Sequence, residues 1–184
     1  MNKKQIFNVI ARQSSPSFPV AEELRILKLG VPTGGRVFFG TGNDIDIVVQ
    51  EDHDKDITAM NLLSNYRCYY SGADCNQPFY YSIYYKSNIF PIPVNLILCH
   101  TEEEFSKWIY ATAEMSKILR HDDVLRIAYK LDKERRVGVF ERFKDSCPKE
   151  INLFKYIGET QLHWNNWCKH YDLCRSKEEE TNGQ

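Results

Sequence analysis

Residues 34–49 read GGRVFFGTGNDIDIVV and contain the strongest indication of the fold in this sequence. The run Arg36–Phe39 is predicted to be a strand. A tight turn then leads into a second strand over Asp44–Gln50, whose β-branched residues indicate burial. Asp44 and Asp46 are separated by one residue, so their side chains point to the same face of that strand. Two carboxylates on one face can share a hard divalent cation, which prefers oxygen ligands and keeps room for substrate phosphates.

The glycines around these carboxylates form the second part of the predicted site. Glycine accepts positive φ, and a glycine-rich turn lets backbone N–H groups come close to a phosphate. The candidate phosphate-binding residues are Gly34, Gly35, Gly40, Thr41, Gly42 and Asn43. Together with the carboxylates and the buried strand, they indicate a metal-assisted phosphoryl or nucleotidyl site.

A simpler interpretation of the two aspartates is turn chemistry. Gly-Asn followed by Asp is common in hairpins, so Asp44 could do no more than cap the turn. Asp46 is harder to explain in this way, because it lies between Ile45 and Ile47 and a carboxylate is costly to bury without a partner. We therefore keep the pair as the candidate metal ligands.

The composition bounds the class of protein. The chain has 184 residues, of which 42% are hydrophobic, so it can bury a substantial core. Its 24 lysines and arginines nearly cancel 25 aspartates and glutamates, which excludes a strongly basic nucleic-acid footprint over the whole chain. No apolar run reaches the length of a bilayer span, and the six cysteines include no CxxC pair. These features predict a cytoplasmic protein with free thiols and no membrane partner.

The rest of the chain completes a predicted α+β fold. Residues 79–86 and 94–99 are predicted strands, and the second, VNLILC, has the composition of a buried central strand. A loop is predicted at residues 32–35. Predicted helices lie at residues 2–12, 19–29, 57–64, 101–119, 122–131 or 122–143, and 151–171. Thr101, followed by three glutamates, is predicted to cap the helix that begins there. We expect one domain over residues 1–143, followed by a helical extension and polar tail over residues 144–184.

The glycine-rich turn before Asp-Ile-Asp resembles the signature of the polymerase-beta-like nucleotidyltransferase superfamily. In that signature, a strand ends in Gly-Ser or Gly-Gly and a pair of acids separated by an apolar residue follows. Gly34–Gly35 matches the Gly-Gly form, whereas Gly40–Thr41 would stand in for Gly-Ser with an unusually short spacer. The segment from Val94 to Met115, with HDDVLRIAYKL after it, also resembles small nucleotidyltransferase-like proteins of bacteriophages. The resemblance covers residues 20–140.

The resemblance implies a short mixed sheet flanked by helices, with the acids at the sheet edge. Asp44 and Asp46 would bind Mg²⁺ or Mn²⁺, and the cation would hold a nucleoside triphosphate. A nucleoside monophosphate would pass to an acceptor hydroxyl on RNA, a protein or a small molecule, and pyrophosphate would leave. A third acid often lies on a neighbouring strand in this superfamily, and Asn95 occupies the matching position here.

Asn95 leaves three alternatives open, because an amide is a poorer cation ligand than a carboxylate and a negligible base. The first is a working enzyme that uses two acids. The second is a catalytically degenerate domain that binds nucleotide without turnover. The third is a phage protein that acts in the host cytoplasm by binding a host protein, in counter-defence or host takeover.

Two further groups of residues allow both a structural and a binding role. The segment KLDKERR contains Lys130, Lys133, Arg135 and Arg136, which form either a solvated helix face or a site for phosphate or RNA. The tyrosines Tyr80, Tyr81, Tyr84 and Tyr85 alternate in pairs, so one face is predicted to pack in the core and the other could stack on a base.

Overall fold

The apolar segment Val94–Cys99 lies at the centre of the sheet, as its composition predicts. The computed structural model describes residues 18–65, 69–70 and 79–158. In that part of the chain the strands are β1 (Val31–Thr33), β2 (Ile45–Gln50), β3 (Tyr69–Tyr70), β4 (Tyr80–Tyr85) and β5 (Val94–Cys99). Their order is β1-β2-β5-β4-β3. β2 and β5 run parallel and the other neighbours run antiparallel, so the predicted mixed sheet is confirmed.

Helices cover both faces of this sheet, and because three of its four strand pairs are antiparallel, the fold is α+β as predicted. They are α1 (Val20–Leu29), α2 (Gly34–Phe39), α3 (Ala59–Asn65), α4 (Glu102–His121), α5 (Asp123–Leu131) and α6 (Lys133–Asp145). Thr101 caps α4 as predicted, since its hydroxyl accepts a hydrogen bond from the Glu104 N–H at 3.1 Å. None of the described helices is long and apolar enough to cross a membrane.

Asp132 explains why the predicted helix that begins at residue 122 ends near residue 131. Its carboxylate accepts a hydrogen bond from the Arg135 N–H at 2.9 Å, so it caps α6 and separates this helix from α5. Residues 153–158 are helical, in agreement with the start of the last predicted helix. The remainder of that helix and the predicted helix at residues 2–12 lie outside the described residues. The predicted boundary at residue 143, between the domain and its C-terminal extension, stays a prediction.

The predicted strand over Arg36–Phe39 is wrong, because these residues belong to α2. Gly34 and Gly40 both have positive φ, at 76° and 69°, and these two turns allow the chain to enter and leave a short helix. The edge strand is instead β1, in the segment that was predicted to be a loop. It pairs with β2 and places Thr33 opposite Asp46.

The alternation of side chains along β2 assigns Asp46 to one face of the sheet. Ile45, Ile47 and Val49 pack in the core under α1 and α3, whereas Val48 packs with Phe105 of α4 on the opposite face. Asp46 shares the face of Val48. The Asp46 carboxylate therefore lies on the sheet face beneath α4 and α6.

A buried ion pair holds α6 against α4. Lys144 Nζ lies 2.6 Å from Glu104 Oε1, and both side chains are only 8% exposed. The ammonium group also lies over the rings of Trp108 and Tyr80, at 4.8 and 5.2 Å from their centroids. The ion pair thus fixes the position of α6 over the sheet.

Burial, with the nearby Glu104 charge, raises the pKa of the Cys99 thiol, so this residue is an inert core thiol.

Replacing Lys144 by Met should lower the free energy of unfolding by about 3 kcal/mol, because Glu104 would remain as a buried charge without its partner. Urea unfolding measures this loss. Lys107→Met is the matched control, since it removes an exposed pair with Glu103 and should cost less than about 1 kcal/mol. Equal costs for the two variants would contradict the anchoring role of Lys144.

Candidate functional site

A cleft of about 290 Å³ lies between the sheet and α6, on the face that carries Asp46. Its floor comes from β2, β5 and β4, and its far wall comes from α6. The floor residues are Asp46, Asn95, Ile97, Tyr80, Ser82 and Tyr84. The rim and wall include Gly34, Gly35, Lys133, Arg136, Phe140 and Glu141, with Trp108 beside them. The cleft therefore combines backbone, carboxylate, amide, cationic and aromatic groups.

Asp46 and Asn95 are partners in the parallel register of β2 and β5. The Asn95 amide donates a hydrogen bond from Nδ2 to Asp46 Oδ1 at 2.6 Å. The reverse amide orientation would bring two oxygens together, so the ionised carboxylate determines which amide atom faces it. Asn95 is 3% exposed, and its Oδ1 atom makes no hydrogen bond among the described residues. A buried acceptor without a partner is costly, which marks this position as one that a donor or cation would stabilise.

Gly34 brings the backbone into direct contact with the same carboxylate. With φ at 76°, it adopts a conformation that other residues rarely accept. A Cβ atom at this position would lie 2.0 Å from Asp46 Oδ2, well inside van der Waals contact. The adjacent end of β1 is held by a hydrogen bond of 2.7 Å between the buried hydroxyls of Thr33 and Thr112. Only glycine fits between the end of β1 and Asp46.

The remaining predicted site residues lie elsewhere. Asp44 precedes the first residue of β2, is half-buried and does not line the cleft. The segment Gly40–Asn43 does not line it either, and the Arg36 guanidinium ties this turn to α2 by donating to the Gly42 carbonyl at 2.6 Å. Of the two glycine alternatives, Gly34–Gly35 is the pair that lies at the cleft. The structure thus brings together Asp46, Asn95 and this pair.

Two cations of the KLDKERR segment face the cleft. Lys133 and Arg136 lie three residues apart at the start of α6, so they share one face of that helix. Arg136 is half-buried, and its Nη1 donates to the Tyr129 carbonyl at 3.0 Å. Burial lowers the pKa of Arg136 while the charge of Asp46 opposes that shift, and the guanidinium remains protonated. Arg135 instead lies over the Tyr129 ring.

The other end of the cleft is aromatic. Trp108 contacts Tyr80 edge-on at 5.3 Å and Phe140 at 5.1 Å between ring centroids. Tyr80, Ser82 and Tyr84 alternate along one face of β4, and about 13 Å of strand separates Tyr80 from Tyr84. Tyr81 and Tyr85 pack in the core on the opposite face, which confirms the core half of the prediction, whereas stacking of a base on the other face stays a prediction. Ser82, Trp108, Phe140 and Glu141 were not predicted, and only the alternation along β4 could have indicated Ser82.

The donor atoms at the polar end suit a hard cation. The Asp46 carboxylate and the Asn95 carbonyl oxygen are the oxygen ligands that Mg²⁺ prefers. Within the described ranges, no group of three or more His, Cys, Asp and Glu side chains could hold a metal ion. These donors fit a single cation that brings further oxygen ligands of its own, such as phosphate oxygens and water.

Comparison of the chain with protein-family models, curated proteins and solved structures gave no match. The interpretation of the cleft therefore depends on the chemistry of its own residues.

Replacing Gly34 by Ala should displace the Asp46 carboxylate and lower the free energy of unfolding by about 3 kcal/mol, because strain at positive φ adds to the overlap. Gly138→Ala in the interior of α6 is the matched control. A Cβ there meets no atom within 4 Å, so this variant should be about 0.5 to 1 kcal/mol more stable than the wild type. Thermal or urea unfolding measures both, and two changes of the same sign would refute the packing described for Gly34.

Proposed function

We propose that the protein binds a nucleoside triphosphate with Mg²⁺ and transfers the nucleoside monophosphate to a hydroxyl group, as a nucleotidyltransferase. The arrangement of the cleft supports this proposal. The Asp46–Asn95 pair on adjacent parallel strands, the Gly34–Gly35 turn and the cations of α6 meet in one cleft. This combination offers a ligand for a cation, close backbone approach and positive charge for phosphates.

Each group has a distinct task in this proposal. Gly34 and Gly35 allow the phosphate chain to approach the backbone without a side chain in the way. Lys133 and Arg136 bind phosphate oxygens from the side of α6, and they lower the cost of assembling negative charge in the cleft. The aromatic end, with Tyr80 and Trp108, accommodates the nucleobase and excludes water from it.

Mg²⁺, or Mn²⁺ in its place, would be held by Asp46 and the Asn95 carbonyl oxygen. When bound, the metal polarises a phosphoryl oxygen and neutralises charge at the phosphate that is transferred. Asn95 fixes the orientation of Asp46 through its hydrogen bond, which reduces the number of carboxylate conformations that binding must select. The acceptor hydroxyl would reach the phosphate from the open side of the cleft.

A second candidate function is nucleotide binding without transfer, and Asn95 itself favours it. The Asn95 Nδ2–H already donates a hydrogen bond to Asp46 Oδ1, so this oxygen has less capacity left to bind a metal. A neutral amide at this position also adds neither negative charge for a second metal nor a base for the acceptor hydroxyl. Binding and transfer must therefore be measured separately.

Asp46→Asn should weaken binding of the Mg²⁺–triphosphate complex by about 100-fold, because the proposed carboxylate ligand of the metal is lost. Isothermal titration with each of the four common nucleoside triphosphates measures this change. Asp54→Asn, in the polar turn after β2, is the matched control and should bind as the wild type does. Unchanged affinity in Asp46→Asn, with its fold intact by circular dichroism, would exclude the site.

Transfer is tested by incubating the pure protein with labelled triphosphates and host lysate. A labelled product that disappears in Asp46→Asn would support nucleotidyl transfer. Triphosphate binding without any labelled product would support the second candidate. A co-purifying host protein, with neither label nor triphosphate binding, would instead support the alternative of a host-binding protein.

Asn95→Asp should make stability depend on cations. Two carboxylates would then face each other where the amide now donates, so we expect a loss of about 2 kcal/mol at pH 7.5 without metal. The repulsion raises the pKa of the carboxyl pair in the folded state above its value in the unfolded chain. The loss should therefore vanish as the pH falls towards 4, and stability should decline as the pH rises. Added Mg²⁺ or Mn²⁺ should restore the stability of this variant at pH 7.5. Urea unfolding that shows no response to metal or pH would contradict the arrangement.

A further inference from the structure

Arg136 is the charged group in the cleft whose role the proposed function leaves least defined. It lines the same cleft as Asp46, and the two charges act on each other there. Its guanidinium stacks over the Phe39 ring at 5.2 Å, and Nη1 donates to the Tyr129 carbonyl. Nε and Nη2 make no further hydrogen bond within the part of the chain that the structure describes. The Arg136 guanidinium is thus held in place, and its Nε and Nη2 atoms remain able to donate to a ligand.

We propose that Arg136 determines which form of the metal the cleft accepts, by opposing a free divalent cation at Asp46 and attracting a cation that arrives bound to a polyphosphate. This inference rests on the proposed function, because it concerns the ligand of the same site. It assigns to one residue opposite effects on two ligands. Arg136 therefore acts as a specificity-determining residue and not only as a phosphate ligand.

The charges that line the polar end explain the exclusion of free metal. Among the described residues at the polar end, the carboxylate that a free divalent cation meets is Asp46, whose Oδ1 is already an acceptor for Asn95. It also meets the positive charge of Arg136 across the same cleft. Attraction to one carboxylate is largely offset by repulsion from the guanidinium, so a hydrated free ion has little reason to leave water.

A metal–triphosphate complex has the opposite balance. It carries a net negative charge, so Arg136 attracts the complex as a whole while Asp46 and the Asn95 oxygen contact the metal within it. The leftover Nε and Nη2 donors match phosphate oxygens in the planar arrangement typical of arginine. Lys133 lies on the same helix face, forms no ion pair with another described residue and adds to this attraction.

Lys133 reinforces the effect of Arg136, whereas Glu141 and Lys144 do not alter this balance. Glu141 lines the cleft further along α6 and lies 3.6 Å from Lys144 Nζ, so its charge is partly compensated. Lys144 is itself engaged with Glu104 at 2.6 Å. The pair of opposite charges that decides which ligand enters at the polar end is therefore Asp46 and Arg136.

Arg136→Gln should change the two affinities in opposite directions. Mn²⁺ alone, titrated by electron paramagnetic resonance, should bind about fivefold more tightly, since the repulsion at Asp46 is gone. The Mg²⁺ complex of a non-hydrolysable triphosphate, titrated by calorimetry, should bind at least about tenfold more weakly, since charge-assisted hydrogen bonds are lost. Arg136→Lys keeps the charge and should leave Mn²⁺ binding unchanged while recovering part of the triphosphate affinity.

Arg135→Gln is the matched control, because it removes the same charge from the neighbouring residue. The Arg135 side chain lies over the Tyr129 ring and does not line the cleft. Neither affinity should change in this variant. If Arg136 serves only to join α5 and α6 through Tyr129, both affinities of Arg136→Gln will fall together with its melting temperature, and the inference is overturned. Unchanged triphosphate affinity in Arg136→Gln would also overturn it while leaving the proposed function intact. Failure of the wild type to bind any triphosphate would instead remove the proposed function and this inference with it.

Discussion

The hydrogen bond between the Asn95 amide and the Asp46 carboxylate is the interaction on which the cleft depends. It joins two parallel strands at a point where both side chains face α6, and it determines the direction of the carboxylate. Its position also requires glycine at residue 34, because the second carboxylate oxygen lies against that backbone. A change at any of these three residues alters the other two, so the site forms one unit rather than a set of independent ligands.

The charges of the cleft are set by the way α6 is attached to the rest of the protein. A buried ion pair to α4 anchors the far end of α6, and the cap at Asp132 begins the helix one turn before Arg136. This geometry places a cation opposite Asp46, at the edge of an otherwise aromatic wall. The site is thus close to neutral without a ligand, which suits a ligand that brings both a cation and negative charge.

Much of the fold follows from local patterns, whereas the site does not. The central strand at residues 94–99, the cap at Thr101 and the alternation along β4 were predicted, because each depends on side chains close together in sequence. The stretch Val37–Phe39 has the composition of a strand, yet it forms a short helix between two glycines with positive φ, so the composition of these three residues did not predict their structure. Asp46 and Asn95 were predicted to be neighbours through the resemblance. Asp44 was expected on the same face as Asp46, but it precedes β2, so the alternation of side chains along that strand does not apply to it. The approach of Lys133 and Arg136 to the cleft depends on how α6 packs, which no local pattern contains.

A crystal structure of the full chain with Mn²⁺ and a non-hydrolysable nucleoside triphosphate, using the anomalous signal of manganese, would show directly whether the cleft binds a metal–triphosphate complex. We expect one manganese peak within coordination distance of Asp46, phosphates between the Gly34–Gly35 turn and Arg136, and a base towards Trp108. A triphosphate that binds elsewhere, or a structure at saturating ligand without manganese beside Asp46, would contradict this account.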